Sequence, residues 1–106
     1  MGLNEDWLAT TVEEILEPEL PICDPHHHLW DTGMADSANF RKEQVEPRYL
    51  LDELRADLGS GHNVVSTVFI ECASMYREDG PAELRPVGET EFVNGVAAMS
   101  ASGLYG

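Results

Sequence analysis

Positive charge is scarce in this chain. Its 106 residues include 6 Lys and Arg against 20 Asp and Glu, which gives a formal net charge of -14. A surface that binds nucleic acid or an anionic membrane needs a basic patch, so we expect neither partner. No apolar run approaches the ~18 residues of a membrane span. Residues 1–7 also lack the basic and apolar regions of a signal peptide.

Cysteine is rare as well. Cys23 and Cys72 each lie in an apolar, strand-like run, and neither belongs to a Cys-x-x-Cys motif. Isolated cysteines of this kind are usually buried and reduced, whereas disulfides are typical of oxidising compartments. We therefore expect two buried, free thiols and a cytoplasmic protein.

Apolar residues, in contrast, make up 42% of the chain, enough for a core. Their helical spacing predicts an amphipathic helix over residues 5–17, which a proline ends. Leu20–His28 is predicted to be a strand, and Pro25 marks where its pairing fades because proline has no N–H to donate. A long polar loop over 31–46 then leads to a second helix, predicted over 47–58.

The second half repeats this order of elements. Residues 63–73 contain the nearly continuous apolar run Val64–Ile70, which is typical of a parallel strand buried on both faces. After a loop over 74–89, Thr90 is predicted to cap a third helix that Gly103 ends. Strands alternating with helices predict an α/β fold with a parallel sheet. Two strands leave such a sheet unfinished, so we expect the truncated beginning of a larger domain.

His26, His27 and His28 form the most distinctive motif of the chain. Successive side chains of a strand point to opposite faces, so His26 and His28 share one face and His27 takes the other. Imidazoles at i and i+2 can converge on one divalent ion, although a complete site needs further ligands. The run lies where parallel α/β proteins place their sites, at the C-terminal end of a strand. We therefore predict that His26 and His28 bind a metal and that His27 is packed or exposed instead.

Five other polar residues have weaker or no claims to a role. Asp24 shares the parity of His26 and His28. It either orients a metal-binding imidazole by accepting the second N–H of that ring, or it bonds to the backbone. Glu71 ends the second strand as a metal ligand, an acid–base group or, preferably, a rim carboxylate paired with an arginine. Arg77 and Arg85 lie on the second long loop and either bind a substrate carboxylate or are solvated. His62 belongs to the opposite end of the second strand, so we assign it no role.

The string Asp24–Asp31, Asp-Pro-His-His-His-Leu-Trp-Asp, resembles the opening motif of the amidohydrolase-related family of metal-dependent hydrolases. Three later segments are similar to the following parts of that family: Arg48–Leu54, Val68–Cys72 and Gly88–Val93. The resemblance implies that residues 1–106 are the N-terminal part of a (β/α)8 TIM barrel, about its first two β/α units, with a helical extension over residues 1–19. It also implies that His26 and His28 are first-strand ligands of a divalent ion, expected to be zinc.

Members of this family hydrolyse lactones or related carbonyl compounds, and the form of the opening motif is closer to the lactonase-like branch. The family's later histidine ligand and catalytic aspartate have no counterpart in residues 1–106, so the general base is not identified. The resemblance therefore implies the N-terminal portion of a hydrolase of small carbonyl or carboxylate compounds, inactive by itself. A metal-dependent decarboxylase is one alternative, since some relatives decarboxylate aromatic or unsaturated acids. A non-catalytic truncated product, or a segment that needs another chain, is the other, and the oligomeric state is left open.

Overall fold

The structure, a computed structural model, describes residues 5–31 and 48–105. Within these ranges the elements are α1 (Glu5–Ala9), β1 (Pro21–His27), β2 (Trp30–Asp31), β3 (Arg48–Tyr49), α2 (Leu51–Leu58), β4 (Asn63–Phe69), a 3-10 turn (Ala82–Leu84) and α3 (Val87–Ala101). Nearly all of the predicted loop over 31–46, and the predicted helix start at Pro47, lie outside the described residues. No helix in the described ranges is both long and apolar enough to cross a bilayer.

β1 and β4 form a two-stranded parallel sheet, which confirms the predicted parallel pairing. The pairing is irregular at Pro25, because Asp24 pairs with Thr67 while His27 pairs with Phe69. Three steps along β1 thus match two steps along β4, which is the geometry of a β-bulge. The bulge accommodates a proline nitrogen that cannot donate to the ladder, and β1 ends two residues later.

The helices cover one face of this sheet. His27, Thr67 and Phe69 lie on that face, since Thr67 Oγ1 is 3.0 Å from His27 Nε2 and the His27 and Phe69 rings meet edge to face. Between this face and the helices is a cavity of about 400 Å³. Apolar side chains from α2 and α3 line its far side: Leu51, Leu54, Leu58, Val93, Val96 and Ala97. The buried hydrophobic residues of the described chain belong to this layer or adjoin it: Leu29, Leu51 and Leu54.

No element of the described chain covers the opposite face of the sheet. Cys23 and Ser66, which are paired across the strands, are both exposed, and Val68 is 44% exposed. The prediction that both faces of β4 are buried is therefore wrong for the described residues, because the helices cover a single side of two strands. The prediction of two buried thiols is also wrong: Cys23 is an exposed free thiol on this face, and Cys72, in the loop after β4, is a half-buried one.

The N-terminal helix is much shorter than the predicted span of residues 5–17. α1 ends at Ala9, where the hydroxyl groups of Thr10 and Thr11 donate to carbonyl oxygens three residues earlier. These bonds compete with the N–H groups that would continue the helix. Two of the apolar side chains beyond this point have no surface to cover, since Val12 is 79% and Leu16 88% exposed, and only Ile15 is half-buried, against Gly61. Amphipathic spacing alone does not hold so short a helix without tertiary packing.

Two later helices begin elsewhere than predicted. α2 begins at Leu51, because the residues before it pair with Trp30 and Asp31 as the antiparallel β2–β3 ribbon. α3 begins at Val87 after Pro86, so Thr90 lies inside the helix and does not cap it as predicted. Pro86 precedes the first turn of α3, where a fixed φ and a missing N–H cost nothing.

Candidate metal centre

The ring nitrogens of His26 and His28 meet at the C-terminal end of β1. Their Nε2 atoms are 3.1 Å apart, and the two rings are nearly perpendicular, with centroids separated by 4.8 Å. The i, i+2 spacing therefore places both imidazoles on one side of the chain, although the bulge lies immediately before them. His26 is exposed and His28 is half-buried, so the pair is open to solvent.

A backbone carbonyl fixes the orientation of His28. Its Nδ1 atom is 2.8 Å from the carbonyl oxygen of Ile70, the first residue after β4. A carbonyl oxygen can only accept, so Nδ1 carries the proton and neutral His28 presents a lone pair at Nε2. That lone pair points to His26, whose own Nε2–H donates to it. Metal-binding histidines commonly use their second nitrogen in this way, which fixes the ring and raises its basicity.

The separation of the two Nε2 atoms fits a shared metal ion. Zinc binds imidazole nitrogen at about 2.0–2.1 Å, so two such ligands lie about 3.3 Å apart at a tetrahedral angle and about 2.9 Å apart at a right angle. The observed 3.1 Å lies between these values. Metal binding would replace the weak hydrogen bond between the rings, with His26 moving its proton to Nδ1.

The rest of a metal-ligand set is not supplied by the described ranges. Within residues 5–31 and 48–105 no group of three or more His, Cys, Asp or Glu side chains is placed to hold a metal ion. His62 lies in the exposed turn that precedes β4, at the other end of that strand, as predicted. The pair is therefore a half-site in this part of the chain.

Asp24 contacts the main chain of the histidine run. Its Oδ1 atom accepts a hydrogen bond from the backbone N–H of His26 at 3.1 Å. Of the two predicted roles for Asp24, this contact matches the backbone bond. Asp24 does not lie on the face of His26 and His28, although its parity along the sequence predicts that face. The bulge pairs Asp24 with Thr67, on the face that carries His27. Asp24 thus holds the backbone from which the His26 side chain projects.

His27 faces the helices, as its parity predicts. Its Nε2 atom bonds the Thr67 hydroxyl group, and its buried Nδ1 atom has no hydrogen-bond partner among the described residues. Burial lowers the pKa of His27, an effect that the nearby charge of Asp24 partly opposes. His27 is therefore a neutral packing residue next to the cavity.

Aromatic rings of the β2–β3 ribbon stand beside the histidine pair. The Trp30 ring lies 6.3 Å from the His28 ring and 5.7 Å from the Tyr49 ring. Tyr49 donates its hydroxyl proton to Asp57 of α2, and its pKa is raised first by burial and then by this bond. The sequence predicts Tyr49 on the second helix, whereas the structure places it on β3 beside Trp30.

Glu71 and the two loop arginines do not gather around the histidines. Glu71 is exposed and lines a separate cavity of about 330 Å³ with the first turns of α3. Arg77 pairs with Glu91 of α3 through Nε at 2.9 Å and through Nη2, and Arg85 Nε donates to the Gly80 carbonyl at 3.2 Å. Among the described residues no ion pair involves Glu71, so the preferred interpretation of Glu71 as a partner of an arginine finds no support here.

Glu89 is a structural carboxylate that the sequence reading missed. It is 5% exposed, and its Oε2 atom accepts the backbone N–H groups of Cys72 at 3.0 Å and Ser74 at 2.7 Å. These bonds hold the loop after β4, where Ala73 and Met75 adopt positive φ angles of 59° that non-glycine residues rarely tolerate. Pro86 was the available signal, since a helix that begins there has Glu89 in its first turn, where a carboxylate is favoured.

Comparison with protein-family models, curated proteins and solved structures gives no match to this chain.

Proposed function

We propose that this chain supplies the first two β/α units of a metal-dependent hydrolase with a (β/α)8 barrel, and that His26 and His28 are its first-strand metal ligands. The observation that carries the proposal is the 3.1 Å approach of the two Nε2 atoms, with His28 oriented by the Ile70 carbonyl oxygen. The expected substrate is a lactone or a related carbonyl or carboxylate compound, in keeping with the resemblance of the Asp24–Asp31 motif to the amidohydrolase-related family.

The order of the described elements supports the barrel. Apart from the β2–β3 ribbon and a 3-10 turn, β1, α2, β4 and α3 follow one another as strand, helix, strand and helix, and β1 and β4 are parallel neighbours. The helices share one face of the sheet, as they do around a barrel. The histidine pair lies at the C-terminal end of β1, the end at which barrel enzymes carry their active sites.

The residues of the chain have distinct tasks in this proposal. His28 is preset to bind through Nε2 because its Nδ1 proton is committed to Ile70, and Asp24 holds the His26 main chain. When bound, a divalent ion supplies Lewis acidity toward a carbonyl group and toward water. Glu71, which follows β4, and Arg77 and Arg85 on the adjoining loop are the proposed substrate-contacting residues. Since they do not gather around the histidines, they would contact a part of the substrate away from the metal. Arg77 would first have to leave Glu91, an exposed pair that costs little to break.

A second candidate function is a non-catalytic segment that acts only with another chain. The open face of the sheet favours it, because Val68 is exposed on a strand whose composition suits burial. In either case we expect no hydrolysis by the isolated chain, since two imidazoles without a general base do not complete a catalytic site.

Zinc titration by calorimetry tests the proposed half-site. We expect weak binding by the 106-residue chain, lost in the double variant His26→Ala/His28→Ala and retained in His62→Ala. The His62→Ala variant is a matched control because it removes an exposed imidazole at the other end of β4. Equal affinity of the double variant and the unaltered chain would refute the half-site. Turnover of a lactone by the isolated chain that disappears on His26→Ala would refute the expected lack of activity.

A further inference from the structure

The histidine pair opens onto the face of the sheet that none of the described elements covers. Thr67 and Phe69 point to the helices with His27, so alternation along β4 places Val68 on the other face, with His26 and His28. Cys23 and Ser66 are exposed on that same face, where no described element covers them. Within residues 5–31 and 48–105, the surface around the pair is therefore exposed and partly apolar.

This surface supplies two of the four ligands that a closed metal site needs. A structural zinc ion takes four protein ligands in a tetrahedral arrangement. The described part of one chain brings two nitrogens together and no third candidate ligand. Two copies that meet through this face would bring four imidazoles together around one ion.

We infer that a divalent metal ion joins two copies of this chain, each copy contributing His26 and His28. This inference rests on the proposed half-site and belongs with the second candidate function, a segment that acts with another chain, because a closed site of four imidazoles leaves no open position for the water of a hydrolase. The arrangement is isologous, with the metal on the two-fold axis, so the same surface serves both copies. It also covers Val68 of each copy, whose exposed side chain adds an apolar contact beside the metal.

Charge opposes the association and so provides a diagnostic. Each copy carries a formal charge of -14, and repulsion between copies must be screened or offset by the metal. The screening length falls from about 30 Å at 0.01 M salt to about 8 Å at 0.15 M salt. Dimer formation should therefore strengthen with added NaCl, opposite to the behaviour of association driven by ion pairs.

Sedimentation velocity and native mass spectrometry of the full chain with zinc chloride test the inference. We expect a zinc-dependent dimer of two chains and one zinc ion, reversed by EDTA and promoted by salt. His62→Ala should dimerise like the unaltered chain, whereas His26→Ala/His28→Ala should stay monomeric. The single variant His26→Ala replaces an exposed side chain, so it reports on the site without disturbing the His28–Ile70 contact, and it should also stay monomeric.

The outcomes separate this inference from the half-site on which it rests. Zinc bound to a monomer at one ion per chain, and lost in the double variant, would overturn the dimer and leave the half-site standing. A zinc-dependent dimer that persists in the double variant would place the interface elsewhere and overturn the inference. Absence of zinc binding in both measurements would overturn the inference and the half-site together.

Discussion

The Nδ1–H group of His28 donates to the carbonyl oxygen of Ile70 across 2.8 Å. This bond connects the residue after β1 to the residue after β4, so the parallel pairing of the two strands sets the direction of the imidazole. The lone pair of His28 then faces the Nε2 atom of His26. Among the described contacts, no side-chain carboxylate bonds to either ring. The half-site is thus a product of strand pairing, and elements that stabilise the end of β4 stabilise it too.

The first such element is the close packing of α3 on the loop after β4. A Cβ atom at Gly88 would lie 2.4 Å from the carbonyl oxygen of Met75 and 2.9 Å from the backbone nitrogen of Arg77. Backbone atoms cannot move aside cheaply, so we expect Gly88→Ala to lower the free energy of unfolding by about 1–3 kcal/mol. Urea unfolding followed by circular dichroism measures this change.

Gly95 provides the matched control on the same helix. A Cβ atom there meets nothing within 4 Å, so Gly95→Ala should stabilise the chain by about 0.5–1 kcal/mol through helix propensity. If both variants change stability in the same direction and by similar amounts, the contact between α3 and the loop is not as described.

The second element is the buried carboxylate of Glu89. We expect Glu89→Ala to destabilise the chain by about 2–3 kcal/mol, because the N–H groups of Cys72 and Ser74 lose a charged acceptor. Glu91→Ala on the same helix removes an exposed carboxylate that pairs with Arg77, and should cost less than about 1 kcal/mol. Chemical unfolding of both variants checks the difference, and equal costs would contradict the anchoring role of Glu89.

The two thiols should differ in reactivity and pH dependence. Burial raises the pKa of Cys72, and the charge of Glu89 raises it further. A raised pKa leaves less Cys72 thiolate at a given pH, so alkylation of Cys72 should be slow. Its rate should continue to rise with pH above about 8.5, the ordinary pKa of a thiol. Exposed Cys23 should react faster in the folded chain.

Peptide mass spectrometry after timed treatment with iodoacetamide gives both rates at each pH. Unfolding in urea is the internal control, since it should bring the two rates together. Glu89→Gln should speed the reaction of Cys72 by removing the neighbouring charge. Equal rates for Cys23 and Cys72 in the native chain would show that Cys72 is not protected as described.

Local pattern was sufficient to predict some parts of the structure. The spacing of His26 and His28 placed their nitrogens together, and α2 ends at Leu58 as predicted. The apolar run of β4 gave a strand with the right partner and direction. In each case the determining interactions are a few residues apart or follow from an unusually strong β pattern.

Other parts depended on contacts between distant residues. The helix predicted over residues 5–17 needed an apolar surface to pack on, and Leu16 finds none in the described structure. The role of Glu89 depends on backbone N–H groups of a loop 15 to 17 residues earlier. Asp24 changed face because a bulge at Pro25 shifts the register, and alternation counted along the sequence does not include bulges.

Nitrogen NMR of the histidine rings tests the metal half-site most directly. On addition of zinc to the full chain, the Nε2 resonances of His26 and His28 should shift together. The Nδ1 proton of His28 should persist, held by Ile70, and the ring of His62 should not respond. Unchanged Nε2 resonances of His26 and His28, or a response confined to His62, would contradict the assignment of these two nitrogens as a metal-binding pair.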